Sequence, residues 1–155
     1  MTLISILMAV LGIGIAVRKN RELPESISAM VYSLDRDWQW LWSAWVAIVT
    51  VTAMLPVMDA MPEEWKFLSF LTIACLLFVA VMPLVNKDKV MWHYSLAFIG
   101  GVLSQVCVAI ISPWCLLIWF LYIPLTANIW RWSLHKGVFF AECIAMVCVY
   151  VSCLV

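Results

Sequence analysis

Charge is what this sequence has least of. Asp, Glu, Lys and Arg make up only 12% of 155 residues, 66% are hydrophobic, and nine basic residues balance nine acidic ones. A water-soluble fold of this length needs far more charge to cover its surface. A nucleic-acid-binding chain needs a basic face, and a net charge of zero offers none. Histidine is scarce too. Two residues cannot supply the three or four ligands of a His-based zinc centre, so no metal and no cofactor is expected. The chain has no GxxxxGK[ST] phosphate loop, no GxGxxG turn and no GxSxG elbow, and Gly12 and Gly14 simply lie inside an apolar run. The six cysteines, Cys75, Cys107, Cys115, Cys143, Cys148 and Cys153, all fall in apolar runs without CxxC spacing. That excludes a zinc ribbon and a dithiol redox motif, and the residues read as small hydrophobes. Cys115 and Cys153 both fall near one end of their runs, which leaves room for a disulfide there.

What is present is long apolar runs. About 20 helical residues at ~1.5 Å rise cross a ~30 Å hydrocarbon core. Met1–Val17 is the first run, closed by Arg18, Lys19 and Arg21; Trp38–Met58 is the second and Phe67–Asn86 the third. From Val90 to Trp130 no residue carries a formal charge, and as one helix this stretch would reach ~60 Å. It must break, and Ser112-Pro113 is the natural place, since proline suits the first turn of a following helix. The spans are then His93–Ile111 and Pro113–Trp130, with Val138–Val155 the sixth. The first run does not read as a cleaved signal peptide, because its positive charge follows the apolar residues and "GIAVRKN" lacks an A-x-A site. The expected fold is all-α: one polytopic transmembrane helical bundle of six spans, 1–17, 38–58, 67–86, 93–111, 113–130 and 138–155.

Orientation follows from the basic residues, which concentrate in short cytoplasmic loops. Arg18, Lys19, Arg21 and Arg36 fall in the first loop, Lys87 and Lys89 in the third, and Arg131 and Lys136 in the fifth; only Lys66 falls on the other side. Both termini are therefore expected outside, in an inner-membrane protein. Eight of the ten tryptophans lie near expected span ends, as interfacial anchors do, while Trp45 and Trp119 sit deeper.

The longest charged interval, "RKNRELPESISAMVYSLDRDW", still carries Ile27, Met30, Val31 and Leu34 at helical spacing. Pro24 stops the first helix, and Glu25 or Ser26 can cap a new one. The spacing predicts a short amphipathic helix of about two turns, lying at the inner interface or over the mouth of the bundle.

Ionisable groups in lipid are costly and so mark candidate sites. Glu142 is the one acid clearly inside an expected span, with pairing to Arg131, His135 or Lys136 as its structural alternative. His93, Ala97, Gly100 and Ser104 share a face of the fourth helix, flanked by Gly101 and Gln105. The small residues suit close helix packing, and the Gln105 amide must find a partner within the bundle. His93, Glu142, Asn128, Ser43 and Glu25 fall at similar depth and form a candidate polar site on the cytoplasmic side. No catalytic constellation stands out.

"PESIS" after the first helix and "WHYSLAFIGG" opening the fourth together resemble a group of small, uncharacterised bacterial and phage integral membrane proteins. More loosely, the plan is similar to families related to the FGF-receptor-activating protein. The resemblance implies a six-helix fold and draws notice to Pro24, Ser26, Ser28, His93 and Ala97, with no assigned reaction. Distant relatives of the wider group include zinc hydrolases that use several histidines and an aspartate, a set this chain does not contain. The expected role is a non-enzymatic scaffold, partner-binding or modulator subunit, in contact with membrane lipid and with a second copy or another membrane protein. The alternatives are a small transporter or channel, and a membrane enzyme acting on a lipid with His93 and Glu142 as acid and base.

Overall fold

The computed structural model describes residues 2–20, 24–85, 90–129 and 135–154. Among them are six α-helices: α1 (Thr2–Asn20), α2 (Arg36–Ala60), α3 (Lys66–Val85), α4 (Val90–Ile111), α5 (Tyr122–Ile129) and α6 (His135–Ser152). Three 3-10 helices, Ser28–Ser33, Glu63–Trp65 and Pro113–Leu121, lie between them. The stretches Arg36–Ala60, Glu63–Val85 and Met91–Ile111 are long and apolar enough to cross a membrane, and Thr2–Ile15 and Pro113–Thr126 are shorter apolar helices.

Helix ends follow local chemistry. α2 stops at Ala60 because Met61 turns extended, at φ −74° and ψ 142°, just before Pro62, the conformation that a residue preceding proline prefers. α4 stops at Ile111, with Ser112 at φ −151° and ψ 86° and Pro113 opening the next helix. The break expected at Ser112-Pro113 is therefore where the chain turns. The helix after it differs from the single α-helix expected over 113–130. It runs as 3-10 through Leu121 and becomes α-helical only from Tyr122. Pro124 falls in the first turn of α5, where its missing N–H costs no helical bond, and the Tyr122 N–H turns to the Trp119 and Phe120 carbonyls. At ~2.0 Å rise per 3-10 residue and ~1.5 Å per α residue, this composite still reaches ~30 Å.

α3 packs most extensively against α4 and α2, α6 closes on α4 and α2, and α1 lies against α2. Gly100 sets the α3–α4 approach, since a methyl group there would sit 2.8 Å from the Leu76 Cδ2. α1 is seated by Gly12, which receives the Trp45 indole, and by the Trp45 Nε1–H, which donates to the Met8 carbonyl at 2.9 Å.

Polarity is turned inward. Ser5, Ser69, Thr72 and His93 are 0% exposed, whereas Met91 is 80% and Phe98 73% exposed. The interior hydroxyls bond within the bundle: Thr52 donates to Ser5 at 2.8 Å, Ser5 and Tyr150 share a bond at 3.0 Å, and Thr72 donates to the Leu68 carbonyl at 2.8 Å. So much exposed apolar surface beside buried hydroxyls is compatible with a membrane setting for the long apolar helices.

Candidate functional site

The segment after α1 folds back onto the bundle. Ile27, Met30 and Val31 are buried and pack with Trp42 of α2 and Phe139 of α6, so the apolar stripe read at 27, 30, 31 and 34 faces protein. The element is a 3-10 helix, Ser28–Ser33, and neither Glu25 nor Ser26 caps it. Its N-cap residue is Ile27, which makes no side-chain capping bond. The cap comes from α6 instead. The Glu142 carboxylate accepts the Ile27 N–H through Oε2, the Ser28 N–H through Oε2 at 3.3 Å, and the Ser28 hydroxyl through Oε1 at 2.8 Å. The Ser26 hydroxyl joins the cluster, its Oγ 3.1 Å from Ser28 Oγ. The first N–H groups of a helix have no partner of their own, and a carboxylate is their strongest acceptor.

His93 reaches the same segment from the other side. Its ring is fully buried and meets the Tyr32 ring edge-on, with centroids 5.3 Å apart. Neither ring nitrogen makes a hydrogen bond of normal geometry, but backbone groups of Val79 and Ser28 face the ring. The Val79 carbonyl has a reason to be free. Its helical partner would be the N–H of residue 83, and Pro83, inside α3, has none. His93 therefore stands between the carbonyl that Pro83 exposes and the docked segment. Burial, with the Tyr94 phenol a smaller influence, pushes the Tyr32 phenol up, so it is neutral at physiological pH.

Beneath the docked segment lies a cavity of about 160 Å³. Ile27 and Ser28 roof it, Glu142, Met146 and Tyr150 line the α6 side, and Ala97, Gly101 and Ser104 line the α4 side. Ala97 and Gly101 keep that wall low, and a Cβ on Gly101 would meet nothing within 4 Å. Gln105 lies off the cavity and ties three elements together. Its amide donates to the Ala145 carbonyl at 3.2 Å and to Ser104 Oγ at 3.1 Å, and it accepts the Trp119 indole N–H at 2.9 Å.

The residues expected to form the polar site separate into two groups. Glu142 and His93 both address Ser28. Ser43 is buried without a hydrogen-bond partner for its hydroxyl and does not line the cavity. Glu25 is exposed, because the chain turns Ser26 and Ile27 inward instead. The Asn128 and His135 side chains and the whole of Arg131 lie outside the described residues. Sequence reasoning missed Ser28 as a ligand of Glu142, Trp45 and Tyr150 as cavity walls, and the link from Pro83 to His93. For the last of these the i−4 rule for proline is a readable signal; for the others there is none.

Among the described residues, no group of three or more His, Cys, Asp or Glu could hold a metal ion. Comparison of the chain with protein-family models, curated proteins and solved structures finds no match.

Proposed function

We propose that the protein is a six-span inner-membrane protein with both termini outside, whose first cytoplasmic loop is folded back as a cap, and that it acts as a non-enzymatic binding or modulator subunit. One observation carries this reading. The acid and the imidazole best placed for catalysis are both committed to the cap, Glu142 by hydrogen bonds to Ser28 and Ile27 and His93 by its burial against Tyr32. A general acid or base needs a free lone pair or proton directed at substrate. Here the lone pairs of Glu142 hold a loop, and His93 is not among the residues that line the cavity. The concentration of Lys and Arg in alternate loops supports the orientation.

The test has two parts. Reporter fusions after Asp35 and after Glu63 should report opposite sides, with Asp35 cytoplasmic. The protein extracted from its native membrane should run at a mass above one copy, and Glu142→Leu, which frees the cap, should remove the added mass. A single copy with no added mass under mild extraction would sink the subunit reading. A second reading, a small transporter, is favoured by the capped cavity itself and is separated from the first by solute uptake into proteoliposomes.

A further inference from the structure

The cavity beneath the cap has hydrocarbon walls, supplied by Val46, Val49, Ala53, Leu76, Val79 and Val149. Nearly all the polar side chains set among them are committed elsewhere. Glu142 and Ser28 are joined in the cap, and the Trp45 indole donates to the Met8 carbonyl. Ser104 donates to the Gly101 carbonyl at 2.7 Å, and Tyr150 shares its hydroxyl with Ser5. Thr50 is the exception. It lines the cavity and is only 7% exposed, yet its hydroxyl makes no hydrogen bond among the described residues. A threonine inside a helix can bond back to the carbonyl of the preceding turn. Thr52, Thr72 and Thr126 do so here, to the carbonyls of Ile48, Leu68 and Tyr122. Thr50 does not, and the open space beside it is the cavity.

We propose that the cavity binds a compact neutral alcohol or ketone, its oxygen bonded to the Thr50 hydroxyl and its hydrocarbon body against Val49, Ala53 and Val149. The proposal rests on the reading of the chain as a membrane-embedded binding protein and names its ligand class. The size agrees, since an apolar cavity of roughly 150 Å³ takes a guest as large as benzene and this one holds about 160 Å³. Diacyl lipids are too large. Charge is selected against at both signs. A cation finds the Glu142 lone pairs already used by the cap, and an anion finds no Lys or Arg among the described residues that line the cavity. A pure hydrocarbon leaves the buried Thr50 hydroxyl unpaired, which costs affinity. A buried water needs about two to four polar partners, and Thr50 offers one, in walls that are otherwise mostly hydrocarbon. A neutral oxygen on a hydrocarbon ring or short chain meets both demands at once.

Methionine methyl groups report the binding. Met54 and Met146 line the cavity, whereas Met91 is 80% exposed and reports dissolution of a guest in the surrounding lipid. The experiment is a titration of methyl-labelled protein in lipid nanodiscs with cyclohexanol and with its isostere methylcyclohexane, compared at equal concentration in the bilayer. Cyclohexanol should shift the Met54 and Met146 signals saturably while Met91 only drifts. Methylcyclohexane should saturate them about two to ten times more weakly, the worth of one neutral hydrogen bond. Cyclohexylammonium and cyclohexanecarboxylate should not saturate them. Thr50→Val keeps the volume and removes the unpaired hydroxyl, so it should fold at least as stably as wild type and bind the two neutral guests equally. Shifts at Met54 and Met146 that never saturate, a methylcyclohexane affinity equal to that of cyclohexanol in wild type, tighter saturation by either ion, or an alcohol preference that survives Thr50→Val would overturn the proposal. Added mass on extraction without saturable shifts counts against the ligand alone. Cyclohexanol binding by a protein that runs as a single copy counts against the subunit reading alone.

Discussion

Replacing Glu142 with leucine should release the cap while the bundle stays folded. Hydrogen bonds to an ionised acceptor contribute about 1.5–3 kcal/mol each. Three that share one carboxylate and one short segment are coupled, so they give about 4 kcal/mol together. Burial of Ile27, Met30 and Val31 adds about 6 kcal/mol, at roughly 2 per side chain. Against this, ordering residues 26–31 costs ~1–2 kcal/mol each, or about 8 in all. The cap is thus docked by only a few kcal/mol, and the Glu142 bonds are the larger part of that margin. Glutamine can still accept the two N–H groups and donate to the Ser28 hydroxyl, so Glu142→Gln should keep the cap docked. Hydrogen exchange in nanodiscs resolves the two cases. In Glu142→Leu the Ile27 and Ser28 amides should lose nearly all protection, since ~3–4 kcal/mol shifts an opening equilibrium by two to three orders of magnitude, whereas in Glu142→Gln they should stay within about tenfold of wild type. Unchanged exchange in Glu142→Leu would mean that the apolar stripe alone holds the segment, and the reasoning would fail.

Two contrasts test the bundle itself. Gly100→Ala should destabilise by about 1–3 kcal/mol, because its methyl group meets Leu76 at 2.8 Å, whereas Gly101→Ala, facing the cavity, should be neutral or stabilising; unfolding in mixed micelles compares them. Gln105→Leu should cost about 1–2 kcal/mol by stranding the Trp119 N–H, and Trp119→Phe should cost less. In the double variant the costs should fall short of their sum, which a double-mutant cycle on the same unfolding assay measures.

The helical class and most helix positions were legible because a long apolar run obeys a simple rule: away from water it must satisfy its own backbone. The apolar stripe at Ile27, Met30, Val31 and Leu34 was legible for the same reason, as periodicity survives even in six residues. Its hydrogen bonding was not. A 3-10 helix and a short α-helix share nearly the same pattern of exposed and buried positions over two turns, and what chose the tighter form lies in tertiary contacts. The fifth helix shows where a local rule was available. Pro113 suits the first turn of a following helix, so the break at Ser112-Pro113 could be read, whereas the 3-10 form of Pro113–Leu121 has no such local mark.

The site was half legible, and the division has a physical cause. Residues costly to bury, such as Glu142 and His93, announce themselves because an apolar run penalises them wherever they point. Their partners do not. Glu142 takes two of its donors from backbone N–H groups of Ile27 and Ser28, and His93 faces backbone at Val79 and Ser28. Every residue but proline offers such groups, so the side-chain identities carry no trace of which ones are used. Depth matching therefore gathered Glu25 and Ser43 alongside the two residues that do meet the cap, since it fixes height along the bundle and leaves rotation about each helix open. Glu25 shows the consequence. It is one residue from the buried Ser26 and two from the buried Ile27, yet it faces outward, because a chain turning over the mouth of the bundle can present only some of its residues inward. The apolar neighbours decide which ones, and here Ile27, Met30 and Val31 bring the Ser28 N–H and hydroxyl onto the carboxylate.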